Sequence, residues 1–158
     1  MRTWIAAAVL AAGTLTLAAC SGKEEAAPAV EANPTGLTVS NARLILPAVA
    51  GNPAAVYFDL KNDGTRAVAV RRADIAGAKS AEMHDMMEYN RQMTMAAMGP
   101  LTVPKGETVK FEPGAKHIMA FELSPEIAAG GKVEMTLTIA GGDKASFEVP
   151  VQSADAAR

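Results

Sequence analysis

Apolar and polar residues alternate along several short stretches of the chain, at 56–61, 133–139 and 146–149. A period of two is typical of a half-buried β-strand, because successive side chains point to opposite faces of a sheet. Residues that favour turns separate these stretches, at 62–64, 99–100, 104–106, 113–114, 130–131 and 141–142. The pattern predicts an all-β domain, either a β-sandwich or a barrel, with little helix. One helical turn is predicted over 124–129, where Ser124 can cap it and Pro125 suits its first position.

The first nineteen residues predict a secretory signal peptide. Arg2 precedes an apolar run from Ile5 to Ala19, which is too short to span a bilayer comfortably. The run ends in small residues before Cys20, which resembles the lipobox of bacterial lipoproteins, so we expect Cys20 to be lipidated. Ser21 stands where an inner-membrane retention signal would carry Asp. This favours the outer membrane of a Gram-negative bacterium, on the periplasmic side.

The rest of the chain divides into three parts by composition. Residues 20–36 hold the lipidated cysteine and a stretch rich in Ala, Glu, Pro and Gly, which predicts a flexible linker. Residues 37–151 contain the alternating segments and are predicted to form one β-sandwich domain. Residues 152–158 are expected to be a C-terminal tail.

Composition excludes several classes of function. The formal net charge is −2, there is no basic stripe and aromatic residues are few, so we expect no nucleic-acid binding. A single cysteine excludes an internal disulfide, a CxxC redox pair and a multi-cysteine zinc site. No nucleophile–base motif is visible, so we do not expect an enzyme. The protein is expected to be a monomer.

Methionine and histidine are concentrated together. Six of the nine methionines lie within 83–98, one of the two histidines, His84, lies there too, and the other, His117, is followed by Met119. A thioether sulfur is a soft ligand that suits Cu(I), and imidazole also accepts copper. Zinc sites usually contain cysteine or more histidines. The residues therefore predict a Cu(I) site.

Strand geometry suggests which side chains converge. On an extended strand His117 and Met119 share one face, with Ile118 directed into the core, and His84 shares a face with Met86. Met95 follows a polar, hairpin-like stretch and can fold back beside His84. Geometry alone leaves open whether Met86 or Met95 completes a set of four ligands. Met83 and Met135 are predicted to lie in the core. Glu82, Asp85 and Glu88 are predicted as solvated charges, with orientation of an imidazole or contact with a basic partner as the alternative. Met87, Met93 and Met98 are left open among a role around the ligands, a partner-docking surface and the core.

The spacing His84-x10-Met95-x21-His117-x-Met119 resembles the signature of the PCu(A)C family of periplasmic copper chaperones. Surrounding segments are similar to the family as well, at 54–58, 62–64, 82–84, 111–114 and 116–119. The resemblance covers roughly residues 37–150. It implies a cupredoxin-like Greek-key β-sandwich with Cu(I) held by His84, Met95, His117 and Met119. Met86, which the spacing on β-strands also allows, is predicted as an auxiliary metal contact.

The resemblance also implies a role. Members of the family deliver copper to the binuclear copper centre of cytochrome c oxidase subunit II, often alongside thioredoxin-like Sco proteins. The expected function is therefore a periplasmic copper chaperone. The alternative is a periplasmic copper buffer or resistance protein that uses the same ligands without a dedicated recipient.

Overall fold

The computed structural model describes residues 35–157, and this part of the chain is almost entirely β-structure. The strands are β1 Leu37–Ile45, β2 Ala54–Asn62, β3 Val68–Ile75, β4 Ala78–Tyr89, β5 Gln92–Ala97, β6 Leu101–Val103, β7 Thr108–Phe111, β8 His117–Leu123, β9 Lys132–Ile139 and β10 Lys144–Gln152. A 3₁₀ turn over Ala154–Ala157 follows β10. The predicted all-β class is confirmed.

The predicted helical turn over 124–129 is wrong. This segment is a tight turn in which the Ile127 N–H donates to the Ser124 carbonyl at 3.1 Å. The eight residues 124–131 between β8 and β9 are too few to offset the cost of starting an α-helix.

The strands form two layers. All ten strands are hydrogen-bonded in one continuous order, β5-β4-β8-β2-β1-β10-β9-β3-β6, with β7 also paired to β2. We call β5, β4, β8, β2, β1 and β7 the front sheet and β10, β9, β3 and β6 the back sheet. Parallel pairing of β1 with β10, at Leu44 opposite Val151 and Ile45 opposite Gln152, connects the two sheets. Neighbouring strands elsewhere are antiparallel.

Buried side chains from both sheets form one hydrophobic cluster. The predicted alternation holds: the apolar positions of 56–60, 133–139 and 147–149 are buried. Phe58 of β2 stacks on Phe111 of β7 with ring centroids 4.2 Å apart. Each such large apolar side chain contributes about 1.5–3 kcal/mol when it is fully buried. The front sheet thus has one face in the core and one outward face.

The core side chains fix which residues of β4 and β8 point outward. Met83 of β4 and Ile118 of β8 are buried and lie opposite each other in the sheet. Because side chains alternate along a strand, the neighbouring His84, His117 and Met119 lie on the outward face. The predicted core positions of Met83, Ile118 and Met135 are all buried.

A long hairpin extends the front sheet. Strand β4 pairs with β8 only as far as His84, and its later residues pair with β5 alone. Asn90 and Arg91 form the turn, with φ of 51° and 63°. Positive φ at both central residues is the geometry of the tightest two-residue hairpin turns.

The predicted signal peptide 1–19, Cys20 and most of the predicted linker 20–36 lie outside the described residues. The last linker residue, Gly36, is described, and its carbonyl accepts a hydrogen bond of 2.8 Å from the Asp63 N–H. Within residues 35–157, the structure has no helix long and apolar enough to cross a membrane.

Candidate metal centre

Two histidines face each other across adjacent strands of the front sheet. His84 on β4 lies directly opposite His117 on β8, and their ring centroids are 5.9 Å apart at an interplanar angle of 24°. Both rings are largely buried. The only two histidines of the chain, thirty-three positions apart in sequence, are thus brought together by strand pairing.

Hydrogen bonding orients the His117 ring. Its Nδ1 lies 2.8 Å from the carbonyl oxygen of Ala115. A carbonyl can only accept, so Nδ1 carries the proton and the neutral ring has its lone pair on Nε2. That Nε2 lies 3.2 Å from the sulfur of Met95. Two lone-pair donors are therefore in contact, which is the arrangement expected of ligands to one cation.

Hydrogen bonding also orients the His84 ring, but here Nε2 carries the proton and Nδ1 has the lone pair. Its Nε2 lies 3.2 Å from a carboxylate oxygen of Glu82, which accepts the Nε2 proton. The lone pair is then on Nδ1, which is buried and has no hydrogen-bond partner within the described part of the chain. Metal-binding histidines typically donate one ring N–H to an oxygen and bind the ion through the other nitrogen. Both rings fit that pattern.

The methionines are placed by strand register. Residue pairs follow one another along the outward face of β4: Glu82 opposite Met119, His84 opposite both His117 and Ala97, Met86 opposite Met95, and Glu88 opposite Met93. Met95 is in contact with His117 and is 46% exposed. Met119 lies one residue pair from the histidines on one side, and Met86 one pair from them on the other. The four predicted ligands and the auxiliary Met86 therefore share one face.

Sequence reasoning did not identify several residues around the histidines. The Tyr57 ring lies 6.4 Å from the His117 ring, and the Arg43 guanidinium lies 5.2 Å above Tyr57. Alternation along β2 indicates that Tyr57 points outward, but local sequence does not reveal which strand lies beside it. Glu82 is exposed, as expected of a solvated charge, and also contacts His84, which is the alternative prediction. Asp85 is more shielded and pairs with Lys116 at 2.8 Å.

The donor set determines which metal suits the site. Two neutral imidazoles and neutral thioethers bring no negative charge of their own, and thioether sulfur favours soft monovalent ions over Mg²⁺ or Ca²⁺. The arrangement can therefore hold a soft monovalent cation on an accessible sheet face.

Comparison with known sequences identifies a family. The model of the family described as "Putative lipoprotein LpqE-like" matches residues 37–151. The protein named "Putative lipoprotein Lxx21020" from Leifsonia xyli subsp. xyli is 32% identical over 99 residues. That match covers 62% of this chain and 60% of the relative, so the chain spans about three fifths of that protein's length.

Solved structures share the fold. The copper-bound PCuAC domain from PmoF2 superimposes with a TM-score of 0.61 at 18% identity, covering 79% of this chain and 96% of that one. Apo-DR1885 from Deinococcus radiodurans gives 0.57 at 20% identity, covering 97% of each chain. Its CuI form gives 0.55 at 21% identity, covering 85% of each chain. The chain therefore has the PCuAC fold, as the sequence resemblance implied.

Proposed function

The chain belongs to the family of LpqE-like lipoproteins, and from this premise we propose that it is a Cu(I)-binding metallochaperone. The observation that carries the proposal is the cluster of His84, His117 and Met95 on the outward face of the front sheet, with Met119 beside it. These four residues are the proposed ligands. Copper is the cargo of this site, and the protein transfers it without changing it.

Ligand chemistry supports Cu(I) as the ion. Thioethers bind Cu(I) well, and they remain competent ligands in an oxidising compartment where free thiols form disulfides. Solved structures of the same fold include a copper-bound PCuAC domain and a CuI form of DR1885. Those two structures are of other proteins, and they support the assignment of the same metal to this site.

The exposure of Met95 supports a function as a copper carrier. Met95 is 46% exposed at the rim of the histidine pair, so an incoming ligand from another protein can replace its sulfur. Stepwise exchange of one ligand at a time moves an ion without releasing it to water. We propose that the recipient is the binuclear copper centre of cytochrome c oxidase subunit II, with a Sco-like thiol protein as a further partner.

Location follows from the predicted N-terminus. We propose that Cys20 is lipidated after removal of residues 1–19, and that residues 20–36 tether the domain of residues 37–151 to the periplasmic side of the outer membrane. Two or more acyl chains give stable anchoring, since each buried CH₂ contributes about 0.8 kcal/mol. The tether keeps the copper site within reach of membrane-bound recipients.

The binding test is competition with a Cu(I)-selective chromophoric chelator. We expect one tightly bound Cu(I) per wild-type chain, and weaker binding in His117→Ala and in Met119→Ala. Met87→Leu is the matched control, because Met87 is an exposed methionine on the opposite face of the same hairpin. Unchanged affinity in both ligand variants would show that the assigned ligands are wrong.

The delivery test is transfer of Cu(I) from the loaded protein to an apo fragment of subunit II. In cells, deletion of the gene should reduce oxidase activity at low copper and leave it normal at high copper. Copper sensitivity without loss of oxidase activity would instead identify a copper buffer.

A further inference from the structure

The β4–β5 hairpin carries methionines that the proposed ligand set does not use. Met86 lies directly opposite Met95, and Met93 lies opposite Glu88, one residue pair nearer the turn. Residues opposite each other in an antiparallel pair share a face, as do residues two apart on one strand. Met86, Met93 and Met95 therefore lie on the same face as His84.

These three side chains are close enough to bind one ion. Directly opposed residues have Cβ atoms about 4.5–5.5 Å apart, and diagonal neighbours lie about 7–8 Å apart, within reach of long side chains. Methionine is unbranched with three rotatable bonds, so its sulfur can move several ångströms toward a shared centre. Met93 is 61% exposed and Met95 is 46% exposed, so an ion can reach both side chains from solvent.

The opposite face of the hairpin differs. Met87 lies opposite Thr94, and Tyr89 lies opposite Gln92. Both Met87 and Tyr89 are exposed, so apolar exposure occurs on both faces of the hairpin. Met83 and Met98 also belong to this opposite face, but they pack in or against the core, and Met87 lies two residue pairs further along β4. Three neighbouring methionines outside the core therefore occur on the face that carries the histidines. Glu88, exposed and directly opposite Met93, adds a negative charge that attracts a cation to this end.

We propose that Met86, Met93 and Met95 form a second soft-metal site, which binds Cu(I) through sulfur alone and shares Met95 with the histidine site. The inference rests on the proposed function and adds a route to it. An ion held by the three sulfurs moves to the histidine site when its bonds to Met86 and Met93 break and bonds to His84 Nδ1, His117 Nε2 and the Met119 sulfur form. Met95 stays bound throughout, and the ion keeps its charge and oxidation state.

The test uses Ag(I), a soft monovalent ion that air does not oxidise, and protein labelled with ¹³C in its methionine methyl groups. The variant His84→Ala/His117→Ala removes the histidine site. Titration with Ag(I) should then shift the methyl signals of Met86, Met93 and Met95 together, with an affinity at least about tenfold below that of wild type. Met119, on the far side of the histidine pair, should not shift.

Two buried methionines report folding in the same spectrum. Met83 and Met135 lie in the core, so their signals should keep their wild-type positions in the double variant. If they move, the titration is repeated on the more conservative double variant His84→Gln/His117→Gln, whose side chains stay polar and closer in size to histidine. Ag(I) must then shift Met86 and Met93 while Met83 and Met135 keep their wild-type positions.

Adding Met93→Leu to the double variant should abolish the Met86 and Met95 shifts, whereas adding Met87→Leu should leave them unchanged. The inference is overturned if the Met93 signal does not respond to Ag(I), or if both leucine variants have the same effect. Failure of the proposed function has a different signature: in the wild-type chain, Met95 and Met119 would not respond to the first equivalent.

Discussion

Met83 and Met95 are both methionines, but they lie on opposite faces of the front sheet. Met83 is 6% exposed and packs in the core, whereas Met95 is 46% exposed and contacts the ring nitrogen of His117. In the core, the thioether acts as a flexible apolar filler. On the outward face the same sulfur is a soft ligand. Composition therefore identifies the chemistry, but strand position decides which methionines can use it.

The two faces are also mechanically linked. Ile118 points into the core from the position between His117 and Met119, so its packing fixes the direction of both proposed ligands. A shift of pairing by one residue would move every outward side chain of β8 into the core. The hydrophobic core thus positions the metal ligands without contacting the metal.

The largest expected effect is a loss of stability caused by a substitution on the core-facing side of the front sheet. Ile118→Ala should reduce the free energy of unfolding by about 2–5 kcal/mol, because it leaves a cavity in a fully buried position. Urea denaturation followed by circular dichroism measures this loss. Met95→Leu is the outward counterpart, and its stability should stay within about 0.5 kcal/mol of wild type. Equal losses of unfolding free energy in the two variants would show that the core-facing and outward sides contribute equally to stability, contrary to this comparison.

The next effect concerns the outward face alone. Met95→Leu keeps the size of the side chain but removes the sulfur, so Cu(I) affinity should fall by about 100-fold. Chelator competition measures the affinity, with Met87→Leu as the control of equal chemistry on the other face. A matching loss in the control would contradict the proposed role of Met95.

A smaller effect is expected from the partner of His84. Glu82→Gln weakens the acceptor that holds the Nε2 proton of His84. The ring is then held less firmly in the orientation that directs its Nδ1 lone pair toward the metal. Since Glu82 is an exposed residue, we expect a loss of Cu(I) affinity of about tenfold, at the low end for such supporting partners. Glu88→Gln removes a nearby charge without touching the ring and should have less effect. If both variants bind alike, charge rather than orientation is responsible.

The smallest effect lies away from the copper face, at the turn after β2. A hydrogen bond from Lys61 at 2.6 Å, with a second from Thr38, lowers the pKa of Asp63. The ionised carboxylate therefore stabilises the fold above the unfolded pKa of about 3.9, and this contribution is lost as pH falls through the folded pKa. Asp63→Asn should lower the urea midpoint slightly at neutral pH. The difference from wild type should disappear at about pH 2.

Much of the fold could be predicted from local sequence. Alternation identified the strands at 56–61, 133–139 and 146–149, because a sheet with one buried face imposes a period of two. The long-range pairing could not be predicted in this way. Nothing in the residues near His84 indicates that His117 is its neighbour, or that β1 pairs with β10 in parallel. Those pairings depend on how the whole core packs.

The candidate site shows the same division. Spacing on one strand correctly placed His117 and Met119 on a single face, but left open the choice between Met86 and Met95. The structure places them opposite each other and brings Met95 to His117. The approach of Tyr57 to His117 depends on the pairing of β2 with β8, which local sequence does not contain. Glu82 and the Ala115 carbonyl lie only two residues from the histidines that they contact, so local sequence can suggest these contacts but not their geometry.

The Asn90–Arg91 turn has a consequence for insertions and deletions. Hairpin loops of three to five residues also connect antiparallel strands, so an added residue at this turn can leave the pairing of Met86 with Met95 unchanged. One residue added between Met93 and Met95 would instead reverse the face of one sulfur. The ten-residue gap between His84 and Met95 therefore fits strand pairing through a two-residue turn, and an insertion at the loop tip would lengthen that gap without changing the pairing.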